Sequence, residues 1–177
     1  GAAAAVSPPL APPNLPDSGF LPGNEFHPDV QLAYRNSDDG MNATQLIEDG
    51  AWFELVVPPG FYREIHLFLT TGSGWTNVQV QLLYDDGSRS ASPGEQVPDW
   101  FDDPVDDPWR YHLIDGLDQV RADATQPENL NDLAVFGLRY LADPNRLLES
   151  VRVTRVSASA PEAKLNFFGA TGVRGPD

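Results

Sequence analysis

The sequence predicts an all-β protein: two antiparallel sheets packed face to face as a jelly-roll-like sandwich, with one long irregular loop region and room in it for a short helix. Three observations predict it. Short apolar segments with period-2 alternation recur along the chain, each bounded by Gly, Pro, Asn or Asp. No segment carries a long helical periodicity, and no internal repeat of fixed period is visible. The 177 residues are 41% hydrophobic and 10% aromatic, enough for one packed domain and thin for two.

The best-specified local structure is Asn77 to Ala91. Val78, Val80, Leu82 and Tyr84 alternate with Gln79, Gln81 and Leu83, the pattern of a strand with one buried face. Asp85-Asp86-Gly87-Ser88 supplies tight-turn chemistry, and Arg89 to Ala91 returns as the second arm of a hairpin.

Taken in order, residues 1–25 hold Pro8, Pro9, Pro12, Pro13, Pro16 and Pro22. Proline at this density withholds backbone donors and favours extended chain, which predicts a linker or tail ahead of a single domain over residues 26–177. Val30, Leu32 and Tyr34 alternate before Asn36-Ser37-Asp38-Asp39-Gly40 breaks the run. Ala51 to Val57 reads as a strand ended by Pro58-Pro59-Gly60, with Trp52 assigned to the core. Arg63 to Thr71 is the next, with Ile65, Leu67 and Leu69 on one face and His66 and Phe68 on the other. Pro93 to Glu128 holds no clear strand and is the irregular region; Leu113, Leu117 and Val120 have helical spacing there, interrupted by Gly116. Strands return at Leu133 to Leu141, Leu148 to Val156 and Lys164 to Ala170, the first two separated by the turn Asp143-Pro144-Asn145, and Gly172 to Asp177 reads as a frayed end.

Charge and composition exclude several classes. The net charge is −15, from 26 acidic against 11 basic residues, so phosphate backbones and polyanions are repelled and nucleic acid is not expected as a partner. No apolar run approaches the length of a membrane-spanning helix, so no membrane insertion is expected. The opening Gly-Ala-Ala-Ala-Ala-Val lacks the basic start and the length of a signal peptide. Cysteine is absent, which removes disulfides and thiolate metal sites. Asn42-Ala43-Thr44 is a formal glycosylation sequon.

Tyr84-Asp85-Asp86-Gly87 at a strand end, Asp99-Trp100 after it, and Leu141-Ala142-Asp143-Pro144 ahead of a strand containing Ser150-Val151 form a pattern. It resembles the galactose-binding-like, jelly-roll carbohydrate-binding modules of bacterial exported and cell-surface proteins, over about residues 50 to 171. The resemblance implies glycan binding, neighbouring domains in a modular protein, secretion or display at the cell surface, and a structural calcium ion. It carries no binding residue over to this chain.

The residues themselves offer two candidate sites. A flat exposed aromatic ring can cover the apolar face of a sugar while polar neighbours take its hydroxyls. Trp109-Arg110-Tyr111 is the favoured platform, with Asp106 and Asp107 as hydroxyl acceptors and Trp75 and Trp100 as further loop aromatics; a Trp among prolines is more often a loop anchor packed on the core. Asp99, Asp102, Asp103, Asp106 and Asp107 fall within nine residues, and an irregular loop of carboxylates suits calcium, which takes six to eight oxygens. A solvated acidic loop explains the same run. His27, His66 and His112 share no metal-ligand spacing, and there is no Gly-x-Ser-x-Gly or phosphate-binding glycine loop.

The expected function is a noncatalytic carbohydrate-binding or adhesion module. The alternatives are a polysaccharide-degrading enzyme and a structural spacer. A glycosidase would draw its two carboxylates from Glu54, Glu64 and Glu95. A jelly-roll lyase is disfavoured because Lys164 lacks a tyrosine two residues before it and because the chain would repel a polyuronate.

Overall fold

The computed structural model describes residues 19–32, 44–119 and 128–175, and every regular element among them is a strand. In chain order these are β1 (Phe20–Leu21), β2 (Val30–Gln31), β3 (Thr44–Leu46), β4 (Trp52–Gly72), β5 (Thr76–Tyr84), β6 (Arg89–Ala91), β7 (Glu95–Val97), β8 (Arg110–Gln119), β9 (Glu128–Leu141), β10 (Leu147–Ala158) and β11 (Lys164–Arg174). The sandwich is as expected, all-β and antiparallel. Residues 1–18, the Asp38-Asp39-Gly40 turn, Tyr34, Asn42, Ala43 and Val120 lie outside the described residues.

One layer runs β3-β11-β4-β9-β8 and the other β4-β10-β5, with β6 and β7 both on the far edge of β5. β4 belongs to both. Its first half pairs with β10, from Trp52↔Thr154 to Phe61↔Leu147, and its second half with β11 and β9. Pro58-Pro59-Gly60 therefore does not end a strand. It marks where the β10 register jumps, and proline is tolerated there because the ladder is already interrupted.

Period-2 alternation sorts the side chains. Val78, Val80, Leu82 and Tyr84 of β5, Val151 and Val153 of β10, Ile65, Leu67 and Leu69 of β4, Leu138 and Tyr140 of β9 and Leu165 and Phe167 of β11 fill the space between the layers. Burying each is worth roughly 1.5–3 kcal/mol. The hairpin forms where expected, with Leu82 opposite Ser90.

The opposite phase of the first layer is not solvated. Phe68, Tyr111, Leu113, Leu117, Leu133 and Val135 form a second apolar cluster, covered by Val30 and Leu32 with Leu21 and Phe26 packed alongside. Residues 19–32 thus lie across the outer face as a short antiparallel clasp, Phe20 opposite Gln31 and Leu21 opposite Val30. This clasp begins inside the stretch expected as linker.

The irregular region is shorter than expected, because β7 and β8 lie within Pro93–Glu128. Leu113 and Leu117 sit on a strand, not a helix. Their spacing reflects bulges in the β8–β9 ladder between His112 and Leu117, where Gly116 takes φ +71°. At the other end, β11 continues to Arg174, and Gly175 N–H donates to the Phe61 carbonyl at 2.8 Å, so the expected fraying does not begin at Gly172.

Candidate functional site

The expected platform is not assembled. β8 starts at Arg110, so Arg110 and Tyr111 point to opposite faces of the sheet. Trp109 is 52% exposed, while the Tyr111 ring is fully buried under the clasp, stacked by Phe26 and His27 with centroids at 5.8 and 5.6 Å. Tyr111 is therefore core, a correction to its expected ligand role. Arg110 is half-buried in the opposite phase, opposite Leu138. Trp100 is half-buried, packed on Gly72 and the outer cluster, and its carbonyl accepts from Ala134 N–H at 2.9 Å. The Trp109 carbonyl accepts from Arg139 N–H, five residues farther along β9, so the two anchors are about 16 Å apart. Trp75 is half-buried beside Ser159.

Behind Trp109 a polar chain runs inward. The Arg139 guanidinium lies 5.6 Å from the Trp109 ring centre and donates to Glu64 Oε1 at 2.8 Å. Glu64 Oε2 is 3.4 Å from His66 Nε2, and His66 Nδ1 is 2.7 Å from the Tyr111 hydroxyl. Glu64 holds the imidazole proton on Nε2, which leaves Nδ1 to accept from the tyrosine. Burial pushes the His66 pKa below its ordinary value, more than the neighbouring Glu64 raises it. Burial raises that of Glu64, but hydrogen bonds and charge from Arg139 and His66 outweigh it and leave the carboxyl below its usual range. This is a structural network: its innermost members are sealed from solvent.

The aspartates hold their loop. Asp99 accepts from Gly74 N–H and, at 3.1 Å, from Phe101 N–H; Asp102 accepts from Asp99 N–H at 3.0 Å. Asp107 accepts from Trp109 and Arg110 N–H at 2.7 and 2.9 Å, and Asp106 from both His112 N–H and Nδ1. Asp103 is extended into solvent, 3.8 Å from His112 Nε2. Among the described residues no group of three or more His, Asp or Glu converges to hold a metal ion.

A different surface has the geometry expected of a platform. Trp52 is 54% exposed, on the outer face of the second layer, and not core as its strand position suggested. Arg152 lies 4.3 Å from its ring centre and is fixed by Glu54, with Nη2 and Nε to Oε2 at 2.7 and 3.0 Å. Ser150 Oγ donates to Glu54 Oε1 at 2.9 Å. The Arg152 hydrogen bond above all, then Ser150, hold the Glu54 carboxyl below its usual range. In register on the same face follow Thr154 opposite Trp52 and Gln79, and Gln81 opposite Arg152. One side of the indole is thus clamped by a guanidinium and the other is open, beside a row of amides and a hydroxyl.

Glu54 and Glu64 share one phase of β4 but lie on either side of its layer crossing, so they occupy the outer faces of opposite layers.

A scan of the sequence against protein-family models finds no match, and a search of curated proteins finds no relative.

Proposed function

We propose that this domain is a noncatalytic carbohydrate-binding module of an exported modular protein, and that it holds a neutral glycan on the outer face of the β4-β10-β5 layer. The observation that carries this reading is Trp52, an exposed indole immobilised from one side by the Arg152–Glu54 pair. An immobilised ring loses little freedom on binding, and Gln79, Gln81 and Thr154 offer donors and acceptors to hydroxyls around it. The strongly negative chain favours uncharged ligands. Placement of Glu54 and Glu64 on opposite faces supports binding over hydrolysis, which needs two carboxylates across one cleft.

Titration calorimetry against a panel of neutral polysaccharides tests the reading. Wild type is expected to bind, W52A to lose about tenfold or more in affinity with unchanged thermal stability, and W109A to bind as wild type. Loss of binding in W109A with retention in W52A would move the site; no saturable binding by the wild type at millimolar ligand would end the proposal.

A further inference from the structure

We propose that the open edge of the first half of β4 is an interface between two copies of this chain, paired antiparallel with Glu54 of one copy opposite Glu54 of the other. The direction of the ladder shows which backbone groups are available. Arg155 N–H donates to the Ala51 carbonyl at 2.9 Å, in the same register as Phe53↔Val153 and Leu55↔Val151. Alternate residues of a strand turn to the same neighbour, so Ala51, Phe53 and Leu55 face β10, and Trp52, Glu54 and Val56 direct their N–H and C=O groups away from it. No described strand pairs with that side until β11 takes it up at Tyr62. Residues 52–57 contain no lysine, proline or bulge to guard such an edge.

Exposed apolar side chains lie along the same strand. Val56 is 85% exposed and Trp52 54%.

The occupant follows from the strand itself. Pro58 has no N–H, so the outward row of donors is Trp52, Glu54 and Val56. In an antiparallel pair of two such rows, only the register centred on Glu54 engages all three from both copies, with Trp52 of each opposite Val56 of the other. A shift of two residues one way leaves Val56 unpaired, and the other way sets Trp52 against Pro58. The chosen register sets the exposed Trp52 of each copy beside the exposed Val56 of its mate. Like charges directly opposite disfavour a strand pair, but each Glu54 carboxylate is already bound by Arg152 and Ser150 of its own chain. Two copies at −15 repel each other, so association is expected to strengthen with salt.

Sedimentation velocity of the intact chain over a concentration series, at low and raised salt, tests this. The expected result is a monomer–dimer equilibrium that salt favours, loss of the dimer in V56K, and its retention in V105K, which alters an equally exposed valine in the 98–109 loop. The chain lacks cysteine, so single cysteines report the register. E54C places its two Cα atoms about 5.5 Å apart and is expected to crosslink on oxidation. V56C places its pair about 13 Å apart along the strands and is expected not to. Sedimentation as a monomer throughout, a dimer surviving in V56K, or V56C crosslinking as readily as E54C overturns the proposal.

Discussion

Gly137→Ala inverts the usual effect of that substitution. In an ordinary strand, replacing glycine by alanine is neutral or stabilising, by up to about 1 kcal/mol, because the unfolded chain loses freedom. Here a Cβ at position 137 would fall 2.5 Å from the Tyr111 hydroxyl oxygen, and closer still to two ring carbons, where ordinary contact begins at 3.4 Å. The ring would have to move by about 0.9 Å or more (3.4 less 2.5). It has nowhere to go, with Phe26 and His27 stacked on it and His66 Nδ1 2.7 Å from its hydroxyl. Overpacking costs about 1–3 kcal/mol, and a buried hydrogen bond pulled apart about 1–3 more, so G137A is expected to destabilise by about 2–6 kcal/mol. Urea titration of wild type, G137A, Y111L and the double variant measures it, at constant m value. In the Y111L background the alanine has room and its cost is expected to disappear, a coupling of at least about 1 kcal/mol. If G137A is as stable as wild type, or costs the same in both backgrounds, the packing account of Tyr111 is wrong.

Two further predictions follow from the polar groups. His66 has its folded-state pKa depressed below the ordinary 6.5, so the unfolded chain takes up the proton first: stability is expected to hold above about pH 6.5 and to fall as the pH drops below it. Glu64, also depressed, holds its contribution above the ordinary 4.5 and loses it as the pH falls through the folded value. Urea midpoints of wild type and H66Q from pH 8 to about pH 5 check the first effect, and equal slopes for the two proteins below pH 6.5 would refute it. D99A is expected to cost about 1–3 kcal/mol by stranding the Gly74 and Phe101 donors, whether or not a chelator is present. Melting curves with calcium and with EDTA check it, and a cost seen only with calcium would assign the aspartate to an ion.

The hairpin from β5 to β6 was legible because everything that forms it is local: an alternating run, then Asp-Asp-Gly-Ser. The two faces of Arg63–Thr71 were legible too, but not what covers the second. The signal for the clasp is the Val30 and Leu32 alternation, which says that one face is buried but not against what. Trp52 reads as core from its place within an apolar strand, which does not say which face is inward. Both phases of AWFELVV are apolar, and the residue that decides between them is Glu54, whose charge marks the Trp52 phase as outward. Tyr111 failed for a different reason. Trp-Arg-Tyr after Asp-Asp-Pro reads as loop, and the register that lays its ring over Gly137 joins β8 to β9 across a connection no local pattern describes. A glycine within LAVFGLRYL signals a close approach, but not by which side chain.

The passage of β4 through both layers leaves the molecule without a seam. β9 and β10 follow it across, with Leu141 opposite Glu64 and Leu147 opposite Phe61, so one nearly continuous ribbon stitches front to back. Opening of either half strains a strand that the other half shares. Assembly must therefore wait on contacts between distant parts of the chain, which slows folding and favours concerted opening.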